Sequence, residues 1–205
     1  MEFVKEQEQE QDTQQEQVII KTDESWLSVR SFEDHQLVNE CIGYVNDKLI
    51  VNPKFKAFGR TCTMWRSVGF FSNKSKGYTY SGERVKSKRL GKSLSELLRI
   101  VNEIYGADFN GILANAYPDG ASYISRHTDD EKELSKVGVV SISIGAERKF
   151  RIRGKDTGKI VVDIPTTSYA LIHMGGNFQE EFTHEIPKEM KIKEGRISLT
   201  FRKHS

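Results

Sequence analysis

In the stretch YISRHTDDEKEL, residues 123–134, a histidine and an aspartate stand two apart. Residues i and i+2 of a strand leave the same face. His127 and Asp129 therefore converge if this segment is extended, and offer an imidazole nitrogen and a carboxylate oxygen to one metal ion. Firm binding needs a third ligand from elsewhere. His35 falls in a helix-like segment, which leaves His173, His184 and His204. His184, in EEFTHEIP, follows the pair Gly175 and Gly176 and precedes a strand-like end. Neighbouring strands of a small barrel could bring it beside His127. His173 reads as a strand end and His204 as the tail end. On the histidine–aspartate pair alone, a solvated polar loop is the default reading.

Two imidazoles and one carboxylate on one face leave positions open on the metal, the donor set of non-haem Fe(II) oxygenases. A second segment bears on that reading. In RISLTFR, residues 196–202, Ile197, Leu199 and Phe201 share one face, while Arg196, Ser198, Thr200 and Arg202 share the other. Arginines facing a barrel interior are costly unless anions meet them. Their Cα atoms would lie about 20 Å apart at roughly 3.3 Å per residue. With each guanidinium reaching inward, that span suits a small dicarboxylate held at both ends. An edge strand with solvent-facing arginines is the open alternative.

The elements that must position these residues follow from the rest of the chain. Its 205 residues suffice for one domain with a buried core. Residues 5–17, KEQEQEQDTQQEQ, hold no apolar side chain and read as a disordered tail or linker, with order from about Val18 to residue 205. SFEDHQLVNECIGYV sets Leu37, Val38, Cys41, Ile42 and Val45 on one helical stripe, with Ser31 as N-cap. SLSELLRIVNEIY predicts a second helix with a Ser93–Glu96 capping box and Leu94, Leu97, Leu98, Val101 and Ile104 inward. From about Gly111 the runs VVSISIG, KFRIRG, IVVDIP, YALIHM and RISLTFR alternate between turn residues, the pattern of antiparallel β-structure in a sandwich or jelly roll. Cys62, Met64 and Trp65 read as core. The net charge of +2 gives no global case for nucleic acid. Two cysteines are too few for a disulfide framework and point to a reducing compartment. There is no signal-peptide pattern and no apolar run near the roughly 20 residues of a membrane span, so the expectation is a cytoplasmic monomer.

Taken in order, NAYPDG, HTD, His184 and RISLTFR resemble the AlkB family of Fe(II)- and 2-oxoglutarate-dependent dioxygenases over roughly residues 53–203. The resemblance implies a mainly β protein with flanking helices, built on a double-stranded β-helix (jelly-roll) core. It implies Fe(II) on His127, Asp129 and His184, with O2 as the oxidant. It implies 2-oxoglutarate between Arg196 and Arg202, aided by Asn115, Tyr117 and Thr200, with Val139 and Ser141 lining its pocket. The family's asparagine between the arginines is Ser198 here, which can still hydrogen-bond. Met174 stands where some relatives carry tryptophan. The serine, the small size and the Gln/Glu-rich lead-in resemble the AlkB domains of plant RNA virus replicases, which implies a segment of a polyprotein in the host cytoplasm.

The family oxidises N-methyl groups of nucleobases such as 1-methyladenine and 3-methylcytosine, releasing succinate, CO2 and formaldehyde. The implied partner is methylated RNA or single-stranded DNA with its base unpaired or flipped. Residues 69–92, GFFSNKSKGYTYSGERVKSKRLGK, mix aromatic and basic side chains and read as a nucleotide-recognition lid. The resemblance gives Tyr78 to the nucleotide, Phe71 to a stack on the damaged base, and Glu131 to a cationic base. An exposed basic loop with core aromatics is the plainer reading of that stretch. Two further functions stay open: a 2-oxoglutarate-dependent protein hydroxylase or demethylase, and a non-catalytic RNA-binding module. The intact triad and both arginines weigh against the last.

Overall fold

The computed structural model describes residues 16–57, 59–80, 83–129 and 136–204. In chain order the first half runs β1 (Gln17–Lys21), β2 (Ser25–Ser31), α1 (His35–Asn46), β3 (Lys54–Ala57), β4 (Arg60–Thr63), β5 (Ser67–Phe71), β6 (Gly77–Tyr80), β7 (Glu83–Lys88) and α2 (Gly91–Tyr105). The second half runs β8 (Gly111–Tyr117), β9 (Ile124–His127), β10 (Val139–Gly145), β11 (Lys149–Gly154), β12 (Ile160–Pro165), β13 (Ala170–Gly176), α3 (Phe178–Glu181), β14 (Phe182–Ile186) and β15 (Arg196–Arg202).

The strands form a nine-stranded sheet, β1-β2-β13-β10-β15-β8-β5-β7-β6, and a four-stranded sheet, β12-β11-β14-β9. Their facing sides make the jelly roll. One core lies between them, where Tyr117, Val139, Ile172 and Met174 of the large sheet meet Phe150, Ile152, Phe182 and Ile186 of the small one. A second core covers the other face of the large sheet, where Ile112, Ile142, Leu199 and Phe201 pack on Leu37, Val38 and Cys41 of α1 and Leu94, Leu97 and Val101 of α2. Period-two alternation therefore decides the destination of every side chain on the central strands: odd parity to the helices, even parity to the inter-sheet space, or the reverse.

The alternating runs expected from Gly111 onward are strands β10, β11, β12, β13 and β15. The helices are present, but their starts differ. Asp34, not Ser31, caps α1, its carboxylate accepting from the Leu37 N–H at 2.9 Å. α2 starts at Gly91, ahead of the expected capping box, and Leu90 caps it without a side-chain hydrogen bond. The strands β1 to β7 of the first half were not foreseen. β1 and β2 extend the large sheet beyond β13, and Gln17, expected in the tail, opens β1. Residues 1–15 lie outside the described residues. Gly138 (φ 83°) leads into β10 where a Cβ would stand 1.9 Å from the Met174 carbonyl oxygen, so that approach requires glycine.

Two expected placements are corrected, the first by this parity. On β5, Phe70 pairs with Leu113 and Phe71 with Ile112. Ile112 faces the helices, and Phe71 follows it: it is fully buried, in the helix-side core, 6.1 Å from the Tyr44 ring. It cannot stack on a base. Trp65, expected in the core, is 57% exposed beside buried Met64. Phe71→Ala is expected to cost about 3–5 kcal/mol of stability in urea unfolding. Tyr78→Ala, at a half-buried lid position, should cost much less; equal losses would contradict this placement.

Candidate active site

β9 and β14 are neighbours in the small sheet, and their register sets His127 directly opposite His184. The two rings lie 4.3 Å apart, centroid to centroid. On β14, Phe182 and Ile186 point into the inter-sheet core, so His184 between them must as well. The alternate residue Glu185 turns away and pairs with Arg153 at 2.9 Å. Asp129 follows β9 by two residues, and its backbone N–H donates to Gln179 Oε1 of α3 at 2.9 Å. One ligand atom from each of His127, Asp129 and His184 lies within 4.8 Å of the others.

The protonation states suit a metal. His127 Nδ1 is 2.8 Å from the Ser125 carbonyl, which can only accept. The ring proton is therefore on Nδ1 and the lone pair on Nε2. His184 Nδ1 is buried without a hydrogen-bond partner, and its Nε2 stands 3.7 Å from Asp129 Oδ2, too far for a hydrogen bond. Burial, with His127 alongside, pushes the His184 imidazole down to about 3, and burial lowers His127 as well. Burial alone would raise the Asp129 carboxyl, but the Arg202 charge, with the two imidazoles, holds it down at about 2. At neutral pH the cluster is two neutral imidazoles and a carboxylate, the forms that bind metal.

The floor of the same cavity is laid by β8, β15 and β10. Their register sets Arg196 opposite Tyr117, Ser198 opposite Asn115, and Thr200 opposite Ser141. All six, with Arg202, line the cavity. Arg202 Nη2 is 3.1 Å from Asp129 Oδ1. The Arg196 guanidinium lies 5.4 Å from the Tyr117 ring centroid, its Nη1 is buried without a hydrogen-bond partner, and burial pushes it down to about 10. A buried guanidinium in that state is the donor an incoming carboxylate would meet.

A metal triad beside two inward arginines narrows the chemistry, and comparison with known proteins decides the family. The profile of the 2OG-Fe(II) oxygenase superfamily matches residues 26–202. The chain belongs to that superfamily. Its relatives place it in the AlkB family. The DNA oxidative demethylase ALKBH2 of Homo sapiens is 32% identical over 158 residues, 73% of this chain and 60% of that protein. The alpha-ketoglutarate-dependent dioxygenase alkB homolog 3 of Homo sapiens is 34% identical over 118 residues, 53% of this chain and 41% of that protein. The chain thus spans about three fifths of the length of human ALKBH2. Among solved structures, OsALKBH1 superposes with a TM-score of 0.56 at 14% identity, covering 91% of this chain and 100% of that one. A Trichoplax adhaerens prolyl hydroxylase, bound to a hypoxia inducible factor peptide, gives 0.60 at 11% identity, covering 86% and 82%. At these identities the two structures speak for the jelly-roll fold alone.

For this AlkB-family chain, Fe(II) and 2-oxoglutarate are the implied groups, and the residues present fit both. His127, Asp129 and His184 would hold the metal, and Arg196 and Arg202 the carboxylates. The placement of the other site residues divides. Asn115, Tyr117, Ser141, Ser198, Thr200 and Tyr78 line the cavity. Val139 does not. It is two residues from Ser141 on the same face, but at the start of β10 it is wholly buried among Ile172, Met174 and other core side chains. Glu131 lies outside the described residues. His173 is occupied by the Val137 carbonyl at 2.6 Å on its Nε2. His204 stacks edge-on against Phe70 at 4.6 Å. Two residues were missed. Arg66, buried before β5, lines the cavity, and its Nε donates to Asn115 Oδ1 at 2.8 Å. Gln179 holds the Asp129 backbone. A lone arginine next to an apolar strand was the available signal for the first; the second had none. Among the described residues no helix is long and apolar enough to cross a membrane.

Two outcomes follow. His184→Ala or His127→Ala is expected to abolish measurable Mn(II) binding by the purified protein while leaving its circular dichroism spectrum intact. For the metal-free protein, the lowered pKa of His127, His184 and His204 means that the unfolded chain takes up protons first. Stability is then level above the ordinary histidine value of 6.5 and falls as pH drops from there toward about 3, where His184 titrates in the folded state. Urea midpoints at pH 7.5, 6 and 5 should decrease in that order, and constant midpoints would contradict the buried neutral imidazoles.

Proposed function

We propose that this chain oxidatively removes methyl groups from ring nitrogens of nucleobases in RNA or single-stranded DNA, consuming 2-oxoglutarate and O2 and releasing succinate, CO2 and formaldehyde. The observation that carries this reading is the convergence in one cavity of His127, Asp129, His184, Arg196 and Arg202 beneath Tyr78. The names of the ALKBH2 relatives support the choice of reaction.

Bound iron, with 2-oxoglutarate and O2, supplies the oxidising power for the methyl C–H bond. The chain supplies placement. Ser125 fixes the His127 ring through Nδ1, and Gln179 fixes the Asp129 backbone. Arg202, at the end of β15, neutralises Asp129 and lines the cavity the co-substrate would enter. Arg196 and Arg202 bind the two ends of the keto acid. Leu113, Ile124, Phe150, Ile172, Met174 and Ile186 give the cavity an apolar wall that excludes water. The methyl carbon, once hydroxylated, leaves as formaldehyde: the C–N bond breaks, the ring nitrogen keeps the bonding pair, and the hydroxyl proton passes to solvent.

The rim supports a polymeric anion. Tyr78 borders the cavity, with the Arg202 guanidinium 5.6 Å from its ring centroid. Lys54, Lys56 and Arg60 on the β3–β4 hairpin and Lys74, Lys76, Lys86 and Arg89 around the lid are exposed. Such side chains can follow phosphates while aromatic rings stack on unpaired bases. The same proposal includes a cytoplasmic monomer. It also includes a place in a longer, viral polyprotein.

The test is incubation of the protein with Fe(II), 2-oxoglutarate, ascorbate and oligonucleotides carrying 3-methylcytosine or 1-methyladenine, as RNA and as DNA. Wild type should release succinate and formaldehyde and restore the base, and Asp129→Ala should do neither. Succinate release with no repair of any methylated oligonucleotide would favour a protein substrate instead.

A further inference from the structure

We propose that Thr166 is a positioning residue for the co-substrate: its hydroxyl sets the plane of the Arg196 guanidinium before the dicarboxylate arrives. The inference rests on the functional reading above and adds to it a side chain that does not itself border the cavity.

Thr166 follows Pro165, the last residue of β12, and is 1% exposed. Two bonds seat it. Its N–H donates to the Arg148 carbonyl at 2.9 Å, and the Arg148 N–H donates to Thr166 Oγ1 at 3.0 Å. The same oxygen accepts from Arg196 Nε at 3.1 Å, in a buried contact spanning 30 residues. A guanidinium is planar, so a bond at Nε fixes its plane and leaves the Nη edge as the binding edge. That edge includes Nη1, the buried atom with no partner.

The tether has an opponent. The Arg148 guanidinium is close enough to disfavour charge on Arg196. Arg148 cannot yield, since Glu189 Oε2 and the carbonyls of Asp119, Ser122 and Pro187 hold it. Without the threonine oxygen, Arg196 would face that repulsion with no bond at Nε. Its guanidinium would then sample several orientations, and the incoming carboxylate would have to select one. The loss would fall on co-substrate affinity, not on the step at the methyl group.

The variants are Thr166→Val, which keeps the shape and removes the acceptor, and Thr166→Ser, which keeps the acceptor. For Thr166→Val the KM for 2-oxoglutarate should rise about tenfold, as expected for loss of one charge-assisted hydrogen bond, with kcat within about twofold of wild type. Thr166→Ser should restore KM to within about threefold. Calorimetric titration of 2-oxoglutarate into the Mn(II)-loaded protein should show the same order of affinities without turnover. In proton–nitrogen NMR spectra of the wild type, the Arg196 Nε–H, assigned by its absence in Arg196→Lys, should be protected from exchange.

An unchanged KM and affinity in folded Thr166→Val would overturn the proposal while leaving the demethylase reading intact. An unprotected Arg196 Nε–H in wild type would overturn it even if the valine variant fails to fold. A wild type that neither binds nor consumes 2-oxoglutarate would remove the functional reading first, and this proposal with it.

Discussion

A buried ion pair joins the two halves of this site. Arg202 ends β15, the strand whose inward side chains would meet the co-substrate, and its Nη2 lies 3.1 Å from Oδ1 of Asp129, which stands with His127 and His184. Neither charge is favourable alone at such depth, because desolvation outweighs what an isolated buried charge gains. Together they hold the carboxylate ionised and give one guanidinium two duties. The pairing also crosses between the sheets, so the metal cluster on the small sheet and the acid-binding strand of the large one share an anchor. Loss of either partner would leave the other buried and uncompensated.

Strand parity does the rest of the placement. β15, β8 and β10 each send one set of side chains to the helices and the other to the cavity. The alternation of a single strand thus makes it at once a wall of the hydrophobic core and a row of binding groups. This economy has a consequence for mutation. Leu199 and Phe201 lie on the helix side, away from the cavity, yet their packing holds Ser198, Thr200 and Arg202 in place along it. Helix α1 and helix α2 act on the site only through that face.

Positive charge is concentrated where an anion is to be bound. Arg66, Arg196 and Arg202 line one cavity, and Arg148 lies just behind. The structure offsets this crowding locally: Asn115 accepts from Arg66, Thr166 from Arg196, Asp129 pairs with Arg202, and Glu189 with three carbonyls takes Arg148. The Arg196 Nη1 atom is buried without a hydrogen-bond partner, on a residue that lines the cavity a dicarboxylate would fill.

How much of this could be known beforehand varies by feature. Five strands of the second half, β10 to β13 and β15, were legible because each is a short alternating run bounded by turn residues, and RISLTFR even displayed its two faces. The site residues on those strands, with His127 and Asp129, were legible from type and spacing once the family resemblance was drawn. The strands of the first half were not, because β3 to β7 are short and rich in charge or glycine, and the large-sheet partners of β2 and β5, namely β13 and β8, lie far along the chain. Phe71 shows the limit most plainly: FF carries no mark of which phenylalanine faces a ligand, and one residue of register decides it. Gln179 and Thr166 were silent and Arg66 nearly so, since a polar side chain acquires a role only from the atoms the fold brings within hydrogen-bond reach. Sequence alone determined the chemistry available and the face each strand residue shares with its neighbours. Tertiary structure decided which faces meet, because contact between residues tens of positions apart depends on sheet pairing, which local sequence does not encode.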